Sequence, residues 1–120
     1  MDKRALSRAY RDTARPMGIY SIRNVQNGKA LVRSSVDLPS SINRERTQLR
    51  FGGHRNVALQ QDWNALGADA FVFEVIDTFE PPKDSPAYDP SRDLAALEQL
   101  WLDKLQPFDD RGYMTRPRSR

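Results

Sequence analysis

Cysteine is absent from the 120 residues, and histidine occurs once, as His54. The first absence excludes disulfide scaffolds, thiolate metal sites and cysteine nucleophiles. The second excludes a metal centre built from several imidazoles. No apolar run approaches the ~20 residues of a membrane span, and the start Met1-Asp2-Lys3-Arg4 lacks a secretory apolar core. The composition therefore predicts a soluble, cytoplasmic chain of one ordinary domain. Its 38% hydrophobic and 29% charged residues are polar on average, yet sufficient for one core if the apolar positions are patterned.

A net charge of +3 conceals a stronger segregation. Residues 18–61 carry seven basic and two acidic groups, whereas residues 62–110 carry three basic and twelve acidic ones. Basic groups also dominate both ends. Folded onto different faces, these segments would give one positive and one negative region. The positive region suits a polyanion held through its phosphates, unless the two halves simply neutralise each other.

Along the chain, residues 2–14 place Leu6 and Tyr10 four apart and read as a short amphipathic helix ending before Pro16. Gly18-Ile19-Tyr20-Ser21-Ile22-Arg23 alternates apolar and polar, Asn27-Gly28 signals a turn, and Ala30-Leu31-Val32 returns. That pattern predicts an antiparallel hairpin over residues 18–34. Asp37 can cap a helix whose buried side holds Leu38, Ile42 and Leu49 and which ends at Gly52-Gly53. Asn56 can cap a second helix carrying Leu59, Trp63 and Leu66, closed by Gly67. Phe71-Val72-Phe73-Glu74-Val75-Ile76 predicts a third strand, either central or covered by helices. A proline-rich loop follows over residues 79–91. Ser91 or Asp93 then starts a helix with Leu94, Leu97, Trp101 and Leu105 on one face.

The fold class is thus α+β, a small three-stranded antiparallel sheet flanked by helices in the order β-β-α-α-β-α after an extra N-terminal helix. Residues 1–16 form the extension, 17–113 the domain, and 114–120 a basic tail that reads as disordered.

The motifs themselves resemble the GIY-YIG nuclease family. Gly18-Ile19-Tyr20 matches the first half of its signature, and Leu31-Val32-Arg33 stands at the spacing of the second half, where the family has Tyr-Ile-Gly. The likeness continues through Gly53-His54-Arg55-Asn56, Leu59-Gln60, Trp63-Asn64, Phe73-Glu74-Val75, Leu97-Glu98-Gln99-Leu100-Trp101 and Gly112-Tyr113, spanning about residues 17–113. The resemblance implies metal-dependent cleavage of DNA phosphodiesters, with one Mg²⁺ or Mn²⁺ ion held by a glutamate on the third domain helix. It implies strand tyrosines beside the attacking water, a helix arginine on the phosphate and a histidine assisting proton transfer.

Carried over residue by residue, the likeness assigns Tyr20 and His54 to the site and Glu98 to the metal. No basic residue lies three or four positions from Glu98 to neutralise it within the helix. Several family positions are replaced. Leu31 stands for the second tyrosine, Ser41 for the helix arginine, Glu45 for a frequent histidine, and Met114 for the asparagine after Gly112-Tyr113. Arg44, three residues beyond Ser41, is the candidate to compensate. Arg33 either crowds the site or contacts phosphate, and Arg46, Arg50 and Arg55 are candidate nucleic-acid contacts. The Arg44-Glu45-Arg46 stretch reads as an exposed charged face.

Three functions stay open: an altered nuclease, a catalytically degenerate DNA-binding domain, and a protein-interaction module using the acidic half. With no appended recognition domain in view, sequence specificity would come from this domain, a partner or a homo-oligomer. No membrane partner is expected.

Overall fold

The computed structural model describes residues 16–82 and 87–116. The helix expected over residues 2–14, residues 83–86 of the proline-rich loop and the tail beyond Arg116 lie outside the described residues.

Three antiparallel strands form the sheet: β1 (Met17–Asn24), β2 (Ala30–Ser35) and β3 (Phe71–Phe79). Their order is β2-β1-β3, so the signature strand β1 is central and buried almost throughout. β3 is an edge strand, so of the two alternatives its apolar faces left open, central or covered by helices, the central place is not the one taken. Helices cover it instead: Phe71 and Phe73 pack into one core, Ile76 into the other. Gly18 permits the close β1–β3 approach, since a Cβ there would stand 2.1 Å from the Asp77 carbonyl oxygen.

The hairpin turns earlier and more loosely than Asn27-Gly28 alone suggests. Asn24 and Lys29 close a four-residue loop through Asn24 N–H to the Lys29 carbonyl, 2.8 Å. Asn24 is buried; its side-chain oxygen accepts the Gln26 amide and its amide donates to the Tyr113 hydroxyl. That anchoring fixes the wider loop, and Gly28 takes the left-handed conformation at its end.

Helix α1 (Leu38–Phe51) is capped by Asp37, which accepts the Ser40 amide, and stops at Gly52 in the left-handed region. Helix α2 (Val57–Leu66) is capped by Asn56, whose side chain accepts the Leu59 amide. Helix α3 (Ser91–Leu105) begins at Ser91, one of the two expected starts, and Asp89 takes the Ser91 amide.

Alternation along β1 sends Ile22 to one face of the sheet and Ile19 to the other. Ile22, Leu31, Leu49, Leu59, Phe71 and Tyr113 form the core beneath α1 and α2. Ile19, Val32, Leu102 and Phe108 form the second, beneath α3. Each fully buried leucine here contributes about 1.5–3 kcal/mol of apolar burial. Trp101 Nε1 donates to Asp77 at 2.8 Å and ties α3 to β3. No helix of the described residues is long and apolar enough to cross a membrane.

Candidate functional site

Leu38, Ile42, Glu45 and Leu49 follow one another at the spacing of an inward helical stripe, and Glu45 is accordingly buried. This corrects the reading of residues 44–46 as uniformly exposed, which holds for Arg44 and Arg46 only. A buried carboxylate needs partners. His54 supplies the first, with Nε2 3.1 Å from Glu45 Oε1.

The histidine is itself fixed on every side, its side chain 1% exposed. Nδ1 accepts the Asn56 amide at 3.0 Å, so Nε2 carries the ring hydrogen and donates it to Glu45. The His54 amide donates to Gln60 Oε1, and Gln60 Nε2 reaches the Leu49 carbonyl, each at 3.0 Å. Asn56 continues the network, its amide donating to the Tyr113 carbonyl at 2.7 Å. Both imidazole nitrogens are thereby engaged.

Tyr20 and Arg33 face each other across β1 and β2 and project to the same side of the sheet as Ile22. Burial pushes the Tyr20 phenol up, and the adjoining Glu45 carboxylate pushes it further, against the charges of Arg33 and Arg44. The phenol therefore stays protonated at neutral pH. For Glu45, burial alone would raise the carboxyl. His54, Arg33 and Tyr20 together outweigh it and hold the group below the ordinary carboxylate value.

Arg33 Nε stands 4.0 Å from Glu45 Oε2. Both atoms are buried, and neither has a hydrogen-bond partner among the described residues. The Arg33 side chain as a whole remains about a third exposed. This cation is thus held next to the phenol without being locked there.

Glu98 approaches from α3 at the free edge of β2, where Oε1 accepts the Ser34 amide at 3.1 Å. It meets the strand one residue beyond Arg33. Its second oxygen takes no hydrogen bond among the described residues. The structure thus gathers Tyr20, Arg33, Glu45 and His54, and attaches Glu98 at the strand residue next to them. Arg44 lies exposed beside Glu45. Arg46 stacks its guanidinium over Phe73 at 4.6 Å, while Arg50 and Arg55 are exposed without acidic partners among the described residues.

The replaced positions have other duties. Leu31 is fully buried in the first core, and Ser41 shares a 2.6 Å hydrogen bond with the Ser35 hydroxyl. Met114 packs between the two cores. Sequence reasoning missed Glu45 as a buried site residue, and the helical spacing was the signal for it. It also missed Ser34 and Gln60, whose roles depend on backbone partners that no side-chain spacing reveals.

A groove of about 740 Å³ on the α3 face, lined by Ser21, Arg23, Glu74 and Trp101 among others, contains none of these residues. Among the described residues no three His, Cys, Asp or Glu side chains converge as a metal cage. The donor set fits instead a hard cation bound by one carboxylate, which keeps its waters until substrate oxygens join.

Neither a family model nor a curated protein matches this chain. Solved structures do. The catalytic domain of the homing endonuclease I-TevI is similar at 27% identity over 81% of this chain and 95% of that one, with a TM-score of 0.65. A glutamate-to-alanine mutant of the catalytic domain of intron endonuclease I-TevI is similar at 25% identity over 76% and 84%, with a TM-score of 0.60. The central Gly18-Ile19-Tyr20 strand, its antiparallel neighbours and the three helices give this chain the fold of a GIY-YIG catalytic domain.

Proposed function

We propose that this chain hydrolyses DNA phosphodiesters slowly and with a divalent metal ion. The observation that supports this reading is the meeting of Tyr20, Arg33 and the buried Glu45–His54 pair on one side of the signature strand. The likeness to a homing endonuclease catalytic domain adds to it.

Hydrolysis needs an oriented water and relief of charge at a pentavalent phosphorus. Tyr20, protonated at neutral pH, orients water through its oxygen rather than acting as a phenolate base. Glu45, ionised and beside it, receives the phenol hydrogen as the water gives up its own. A carboxyl held low is a weak base, so this relay is modest. His54 is a positioning residue here, because its acceptor nitrogen is already taken by the Asn56 amide. Arg33 and Arg44 supply the phosphate-binding charge that Ser41 cannot. Glu98 is the residue that would hold Mg²⁺ or Mn²⁺, which when bound activates water and offsets charge on the phosphate. Loss of the second tyrosine at Leu31 and of the helix arginine at Ser41 makes the rate low.

A second reading, DNA binding without cleavage, is favoured by two observations: Leu31 lies wholly in the core, and His54 lacks a free lone pair. The test is plasmid and branched DNA incubated with folded protein and Mg²⁺ or Mn²⁺. Cleavage that EDTA abolishes is the expected result. Intact substrate overturns catalysis, and a salt-sensitive mobility shift unaffected by E98Q then leaves binding alone.

A further inference from the structure

Phe51 is 82% exposed, whereas every other aromatic side chain among the described residues is at least partly buried. It is the last residue of α1, and the end it occupies is firmly built. The Gly52 and Gly53 amides donate back to the Leu49 and Gln48 carbonyls at 3.2 and 2.9 Å. The ring is therefore presented by a capped helix rather than by a loose strand of chain.

Single exposed apolar residues are ordinary. The setting of this one is not. Arg50 precedes it, Arg55 follows, and neither meets an acidic partner among the described residues. Val57, 65% exposed, opens the next helix. Between these positions lies His54, which turns inward to Glu45. An exposed ring flanked by unneutralised guanidinium groups matches one ligand chemistry: an aromatic base carried on a polyanion.

We infer that Phe51 is a stacking platform for an unpaired nucleobase, with Arg50 and Arg55 on the adjoining phosphates. The inference rests on the nucleic-acid reading above and narrows it to substrates with single-stranded or unstacked positions. In a regular duplex each base face is already covered by its neighbours, so the ring gains nothing there.

The test uses the full chain in EDTA, with fluorescence anisotropy of a short labelled single strand and of the same strand in a blunt duplex. F51A weakens single-strand binding about tenfold and duplex binding less than about twofold, and F51W restores the single-strand affinity. Equal loss on both substrates, or none on either, overturns the inference while leaving the nucleic-acid reading intact. Failure of the unaltered protein to bind either substrate overturns both. A change in sedimentation on F51A, with oligonucleotide affinity unchanged, overturns it in favour of a contact between two copies of the chain.

Discussion

Tyr20 and Arg33 are direct cross-strand partners, and the arginine stands where the second half of the signature would carry glycine. The pairing puts a partly exposed cation beside a buried phenol and across 4.0 Å from a carboxylate that does not fully bind it. If Arg33 carries the phosphate contact that Ser41 lacks, R33A lowers DNA affinity and reduces the dependence of log affinity on log salt by about one. Cleavage with Mn²⁺ falls at least about tenfold in the same variant. Affinity and salt slope equal to those of the unaltered protein would make Arg33 only a neighbour of Glu45.

Glu45 separates a structural role from a chemical one. E45A leaves the His54 Nε2–H buried without an acceptor, a loss of about 1–3 kcal/mol in unfolding free energy by urea titration. E45Q keeps an oxygen for His54 and costs less than about 1 kcal/mol, yet removes the charge that the relay through Tyr20 needs. Cleavage by E45Q therefore drops about tenfold or more while the fold persists. Full activity in folded E45Q would remove Glu45 from the chemistry.

Acid stability follows from the same carboxyl. Glu45 sits below its ordinary value of 4.5 in the fold, with His54, Tyr20 and Arg33 facing it. Between the folded value and 4.5 the unfolded chain binds more protons, so stability rises with pH there. The contribution is complete above 4.5 and disappears as pH falls through the folded value. Urea midpoints of the unaltered protein and E45Q should therefore converge on acidification from about pH 7 to about pH 3. A gap that stays constant over that range contradicts the coupling.

The elements of this fold were legible because their signals are local. Asp37, Asn56, Gly52 and Gly67 mark helix ends by side-chain capping and backbone freedom, which a sequence displays directly. The order of strands was not, since apolar residues on both faces of β3 fit a central strand as well as an edge strand roofed by helices. At the candidate site, the strand position of Tyr20 and the helix position of Glu98 were readable from the sequence pattern. Glu45 was read as surface because two arginines flank it, although its spacing to Leu38, Ile42 and Leu49 points inward. Flanking charge describes the neighbours' faces, a third of a turn away, and periodicity decides the residue's own. The Glu98 contact to the Ser34 amide escaped any such reading, because it joins a helix to a strand 64 residues distant.

That contact sets up the sharpest test of the metal reading. In E98Q the amide oxygen can still accept the Ser34 N–H, so the link between α3 and the β2 edge survives and thermal stability changes little. What is lost is the negative oxygen available to a hard cation. Mn²⁺-dependent cleavage should consequently fall about a hundredfold or more in E98Q while DNA affinity measured in EDTA remains within about twofold. E98A, which also releases the Ser34 amide, should in addition lose about 1 kcal/mol of stability. If E98Q cleaves as the unaltered protein does, the carboxylate serves the strand edge alone, and any metal used by this chain is held elsewhere.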